Sequence, residues 1–401
     1  MPYDVDAVRQ HFPSLKEGAA HFDGPGGSQV PDVVGDIVRT TLVAAISNRG
    51  SLTKAARRAD LIVLDARAAM ADLLGMQPAG IVFGRSMTQL TYDFSRTLGK
   101  QWVPGDEILV TRLDHDANVR PWLQAAAHAG ATARWIDFDP ETGELDMTSL
   151  RDQLNERTKV VAVTAASNLI GTRPDVSEVS RLAREVGALT FIDGVHLTPH
   201  ASVDVGESGA DFYVCSPYKF LGPHCGVLAA RPELLELLEP DKLLPSSNAV
   251  PERFELGTLP YELLAGTTWA VEFLANIAGG SGSRRERIVT SMDLVEEHEH
   301  GLFLELESRL STFDGVTLYG RTRHRTPTLL FSINGVSSAE VSERLAALNV
   351  NAPAGNFYAL EVSRRLGLGE EGAVRAGLAP YSNQEDVDRL VEGVAGISPR
   401  A

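Results

Sequence analysis

DFYVCSPYKFLGPHCG, residues 211–226, is an apolar run that stops at Ser216 and then sets Lys219 between aromatic rings, just ahead of Gly-Pro. A lysine normally lies where water reaches its ammonium group. This one follows one short strand pattern and precedes another, GVLAAR (226–231). Aromatic neighbours and turn formers would hold it at the end of the first strand.

Working outward, the same kind of apolar run recurs upstream: GIVFG (80–84), EILVTR (107–112), ARWIDF (133–138), KVVAVTAAS (159–167) and LTFIDG (189–194). Several are rich in Val and Ile without clean alternation, which suits strands buried on both faces. Helical patterns lie between them, PWLQAAAHAG (121–130) and SEVSRLAREVGA (177–188) among them. This alternation predicts an α/β fold, a mostly parallel sheet with helices on both faces. The character changes after about residue 260. A helical stretch over 261–279 runs into GGSGSRRER, which reads as a flexible break. Then come the helix pattern SMDLVEEHEHGLFLELESRLS, the strand pattern TPTLLFSI, and helices at SSAEVSERLAAL and QEDVDRLVEGV. The expected organisation is a large unit over 15–260 and a small α+β unit over 261–401, joined by residues 1–14.

Composition narrows the function. The chain has 401 residues, a net charge of −16, 22% charged and 43% hydrophobic residues. Such an acidic chain is a poor match to nucleic acid or an anionic membrane. No apolar run approaches the roughly 18 residues of a membrane span. The two cysteines, Cys215 and Cys225, form no disulfide framework and lack zinc-site spacing, so no metal is expected and both read as core. The N-terminus, MPYDVDAVRQHFPSL, is mixed and acidic, unlike a signal peptide. A reducing, cytoplasmic location is expected.

In an open parallel sheet, ligands gather at the carboxyl ends of the strands. The apolar runs here end in RSMTQ, LDHDAN, NLIGT, VHLTPH and SPYK. Ser86, Thr88, His115, Asn168, Asp193, His196, Ser216 and Lys219 are thus expected on one rim. Read singly, each has a bland explanation, a surface lysine or a turn cap. Together they suit a phosphorylated aromatic aldehyde. A lysine amine can form a Schiff base, a carboxylate can pair with a ring nitrogen, and hydroxyls at a helix start can hold phosphate.

Over about residues 20 to 395 the chain resembles the class V aminotransferase family of fold type I pyridoxal-phosphate (PLP) enzymes. It looks most like the cysteine desulfurases and the desulfurase-like proteins that lack their nucleophilic cysteine. The resemblance implies that HFDGPGGSQVP (21–31) lines the substrate side, Gly26 included. FGRSMTQ (83–89) resembles the phosphate loop, with Thr88 as ligand and Ser86 and Met87 lending amides. LDHDAN (113–118) makes His115 the ring-stacking residue. SNLIGT (167–172) sets Asn168 near the phenolic oxygen. IDGVHLTPH (192–200) makes Asp193 the pyridine-nitrogen partner, with His196 near the phenolic oxygen. DFYVCSPYKFLGP (211–223) gives Ser216 to the phosphate, Tyr218 beside it, and Lys219 as the Schiff-base lysine. RFELGT (253–258) places Thr258 on the phosphate of a neighbouring subunit, hence a homodimer with a shared active site. VRAGLAPYSNQEDVDRL (374–390) makes Arg375 the clamp on a substrate carboxylate.

Two positions depart from the desulfurase pattern. PAGNFYA (353–359) puts Tyr358 where the cysteine would stand, with Asn356 beside it, and Tyr218 stands where many relatives have His. The first departure argues against persulfide formation. The implied function is a PLP enzyme acting on an amino acid, with β-elimination of a cysteine S-conjugate by a C–S lyase as the leading outcome. Class V transamination, desulfurase or selenocysteine-lyase chemistry with an external thiol, and a non-catalytic PLP-binding role are the alternatives.

Overall fold

The computed structural model describes residues 3–398. Seven strands form the central sheet: β1 (Ile81–Gly84), β2 (Glu107–Thr111), β3 (Thr132–Ile136), β4 (Thr158–Thr164), β5 (Leu189–Asp193), β6 (Phe212–Cys215) and β7 (Gly226–Ala230). They lie in the order β1-β7-β6-β5-β4-β2-β3. β7 runs antiparallel to both its neighbours, and the remaining pairings are parallel. Every apolar run read as a strand in this half of the chain is one. The missing alternation has a simple cause: strand side chains point by turns into two separate cores. Phe83, Leu109, Val161, Val163, Ile192 and Tyr213 face one core. Val82, Ile108, Val110, Val160, Phe191 and Phe212 face the other.

Helices cover both faces. α1 (Asp32–Leu42), α2 (Lys54–Leu74), α3 (Met87–Gly99), α4 (Arg120–Ala129) and α5 (Val176–Glu185) come from the first part of the chain. α3 and α4 bring Phe94 and Trp122 to the second core. α2 and α5 bring Val63, Met70 and Val179 to the first. α4 stops at Gly130, whose φ of 70° turns the chain back towards β3.

α6 spans Tyr261–Asn276. It packs on α1 and α2, and its Leu264, Val271 and Leu274 share the first core. α7 (Arg284–Leu310) corrects one expectation. The break read as GGSGSRRER ends at Ser283, and RRER is the first turn of this helix. Ser283 and Glu286 form a capping box, and Arg284 bonds Asp72 and Glu272. The small unit holds β8 (Val316–Tyr319), β9 (Thr328–Ile333), β10 (Ala354–Gly355) and β11 (Ala373–Gly377) in the antiparallel order β10-β11-β9-β8. α7, α8 (Ser338–Ala347) and α10 (Gln384–Ile397) close its core; a short α9 (Leu360–Arg365) follows β10. The N-terminal segment ties the two units. Phe12 enters the first core, and Arg9 bonds Asp386 at 2.8 Å. Among the described residues no helix is long and apolar enough to cross a membrane.

Candidate active site

A cavity of about 620 Å³ opens at the carboxyl ends of the strands, walled on the far side by β11 and the 357–358 loop. Lys219 stands in it because β6 ends abruptly. Pro217 starts a single tight turn, and buried Phe220 and Leu221 anchor the chain just after the lysine. The Nζ donates to the carbonyls of Pro25 and Gly26, the latter at 2.9 Å. Burial, then the nearby Arg375 cation, push the ammonium down to about 7, against the pull of Asp23 and Asp193. A neutral amine is therefore accessible near neutrality, as a nucleophile or base requires.

Asp193 is the last residue of β5 and is buried. Burial pushes its carboxyl up to about 6, opposed by the Val195 amide that it accepts at 3.0 Å and by Lys219. Gly194 follows because the Tyr213 ring lies where a Cβ would go, 1.8 Å from its Cζ. His115 Nδ1 accepts the Ala117 amide at 3.0 Å, so the neutral ring carries its proton on Nε2. Burial, then Lys219 and Arg375, hold this imidazole down at about 4. Buried Asp114, bonded to Thr111 and Asn118, secures the loop beneath it.

The start of α3 forms the opposite end. Ser86 caps it by accepting the Gln89 amide at 3.1 Å. Met87 and Thr88 then present amides with no acceptor inside the helix. Thr88 is exposed into the cavity, its hydroxyl only 3.6 Å from Met87 Sδ. Gly226 of β7 runs directly beneath; a Cβ there would sit 2.2 Å from Ser86 C and 2.5 Å from Met87 N. Ser216 is buried, and its Oγ has no partner among the described residues.

Arg375, on β11, is 1% exposed. It donates to Asp23 at 2.8 Å and to the Asn168 carbonyl at 3.0 Å, and its guanidinium lies 3.7 Å from the Phe357 ring centroid. Its buried Nε has no partner among the described residues. Asn168 donates to the Phe357 carbonyl at 3.0 Å, leaving its Oδ1 unpartnered. His196 is held through Nε2 by the hydroxyls of Thr328 (2.9 Å) and Thr326 (3.0 Å).

Of the residues expected from sequence, Gly26, Met87, Thr88, His115, Asn168, Asp193, His196, Tyr218, Lys219, Tyr358 and Arg375 line this one cavity. Ser86 and Ser216 stand behind the lining as a cap and a buried hydroxyl. Asn356 is turned to the Glu370 carbonyl, and Thr258 is exposed away from its own cavity. Asp23, Tyr92, Asp116, Arg120, Gln124 and Phe357 also line it. Sequence reading missed Asp23 because its partner is remote: it meets Arg375 across 352 positions.

The set fits PLP. Lys219 would hold its aldehyde carbon, Asp193 its ring nitrogen and His115 its flat face. The α3 amides, Thr88 and the unpartnered Ser216 hydroxyl would take its phosphate, a charge favoured at a helix start. The free Arg375 Nε would meet a carboxylate.

Comparison with known proteins agrees. The aminotransferase class-V family profile matches residues 20–390. An uncharacterized protein of Mycobacterium tuberculosis, MT3887, is 33% identical, covering 99% of this chain and all of that one. Probable cysteine desulfurase 2 of Mycobacterium leprae is 33% identical, covering 98% and 96%. The crystal structure of the cysteine desulfurase CsdA of Escherichia coli superposes with a TM-score of 0.88 at 25% identity, covering 99% and 98%.

Proposed function

The chain belongs to the class V aminotransferase family of PLP-dependent enzymes, with cysteine desulfurases among its relatives, and from that premise we propose that it is a β-eliminating lyase cleaving the C–S bond of a cysteine S-conjugate. The observation that carries this reading is the missing thiol. Desulfuration of free cysteine needs a protein thiolate beside the substrate to take the sulfur. Neither cysteine lines the cavity, and both are buried. Burial pushes the Cys225 thiol up to about 11, and its Sγ rests 3.4 Å from the Thr267 hydroxyl. Tyr358 occupies the rim instead.

When bound, PLP supplies the sink for the electron pair left at the substrate Cα. Asp193 would keep the ring nitrogen protonated and so deepen that sink. Neutral His115 would pack on the ring without adding charge. Arg375 orients the α-carboxylate. The Lys219 amine takes the Cα proton, the Cβ–S bond breaks, and its electron pair leaves on sulfur as a thiolate. The remaining 2-aminoacrylate hydrolyses to pyruvate and ammonium. No acceptor thiol enters this balance. The family resemblance of the RFELGT segment is what supports a homodimer in which Thr258, exposed in its own chain, would complete the other chain's phosphate site.

The test is pyruvate and thiol release from S-substituted cysteines, without added thiol, by the wild type and by Cys225→Ser. Equal turnover by both is expected. Sulfide from free cysteine that needs Cys225, or keto-acid-dependent turnover without pyruvate, overturns the reading.

A further inference from the structure

Phe357 and Tyr358 have φ of 51° and 59°, two consecutive side-chain-bearing residues in the left-handed region. Such backbone persists only where surrounding contacts over-determine it, and it concentrates at functional sites. Here the contacts come from several elements. The Asn356 side chain accepts the Tyr358 amide at 3.0 Å and donates to the Glu370 carbonyl at 2.7 Å. Asn168 donates to the Phe357 carbonyl at 3.0 Å, and the Asp116 amide donates to the Tyr358 carbonyl at 2.7 Å.

The pinned loop sets two rings. Phe357 lies under Arg375. Tyr358 leans over the cavity mouth, its ring 5.6 Å from that of His115 and tilted by 34°, yet 73% exposed. Its hydroxyl makes no hydrogen bond among the described residues, and the ring is left open on its outer side. Tyr92, Ala117 and Pro121 also line the cavity. Arg120, which also lines the cavity, is matched by Asp116 and Glu361, each 2.7 Å away.

We infer that Tyr358 determines specificity, offering its exposed outer face at the cavity mouth to a flat aromatic substituent on the substrate sulfur. The inference deepens the lyase reading and rests on it for the identity of the leaving group: an aryl or benzyl thiol rather than a small one. The ring stacks on the substituent and leaves the reacting atoms to Lys219 and Arg375.

The test uses the holoenzyme and two unreactive acids that lack the amino group, 3-(phenylthio)propanoate and 3-(methylthio)propanoate, with binding measured by calorimetry. The wild type is expected to prefer the phenyl acid. Tyr358→Ala and Tyr358→Leu should each cut that preference by roughly three- to tenfold, and Tyr358→Phe should keep it. Tyr358→Leu retains bulk, so a folding failure of the alanine variant does not remove the test. An unchanged preference in the leucine variant, or no preference in the wild type, overturns the inference. Pyruvate release from S-phenylcysteine is read separately. Its absence beside an intact phenyl preference sinks the lyase reading and leaves the Tyr358 contact standing.

Discussion

Gly226→Ala is the substitution with the most direct consequence for cofactor binding. Gly226 pairs with Gly84 across the β7–β1 ladder and passes under the first residues of α3. An added Cβ would lie 2.2 Å from Ser86 C and 2.5 Å from Met87 N and Ser86 O, all backbone atoms. No side chain can swing away, so the start of α3 must move on the order of 1 Å, a misplacement that can cost about a hundredfold in a positioned site. A second route gives a similar size. A hydrogen bond to a charged group contributes about 1.5–3 kcal/mol, and each 1.4 kcal/mol is about tenfold in affinity. Loss of one phosphate contact therefore weakens PLP by about ten- to a hundredfold. The assay strips the cofactor, titrates PLP back and reads the bound fraction by absorbance. Gly35→Ala on α1 is the control, since nothing lies within 4 Å of its Cβ. PLP affinity within threefold of wild type in a normally folded Gly226→Ala protein would refute the assignment of α3 to the phosphate.

Borohydride reduction should fix PLP to the wild-type chain, with mass spectrometry locating it on Lys219 and finding none in Lys219→Ala; attachment elsewhere counts against the site. Burial raises the Asp193 carboxyl to about 6 in the cofactor-free protein, so the native state holds a proton that the unfolded chain has lost, and stability falls as pH rises from about 4 to 6. Cofactor-free Asp193→Asn should then be more stable than wild type above pH 6, by about 3 kcal/mol at most, and lose the advantage below about pH 4; urea midpoints that differ equally at every pH would contradict this. Co-expressing Thr258→Ala with Lys219→Ala should yield mixed dimers in which one site binds PLP at wild-type affinity, whereas Thr258→Ala alone binds weakly; no recovery on mixing argues against a shared phosphate site.

Much of the large unit was legible because its signals are local. Apolar runs without alternation mark strands between two cores, and the polar residues that stop them mark the rim. The capping box at Ser283 and Glu286 was also present in the sequence, but glycines and arginines around it read as a break. What no local signal carries is the meeting of distant segments. The face that α6 offers to α1 and α2 depends on a core assembled from the whole chain. The left-handed pair at Phe357 and Tyr358 is likewise held by Asn168 and Asp116, far away in the chain. Neither residue type announces that conformation.

The cavity's charges explain why these remote contacts matter. Lys219 is pushed down to about 7, Arg375 to about 10 and His115 to about 4, while Asp193 is pushed up to about 6. Burial leads in all four, and it acts against every charged form. Asp23 offsets the two cations, yet it leaves the Arg375 Nε unmatched. A site so poorly solvated is completed by a ligand whose own charges are distributed to meet it: a carboxylate for Arg375, a protonated ring nitrogen for Asp193 and a carbonyl carbon for the neutral Lys219 amine. The same burial makes Lys219 available as a base near neutral pH, and Arg375 adds to that effect from β11. Removing Arg375 would therefore cost more than substrate affinity: it would return Lys219 towards its ordinary, protonated state.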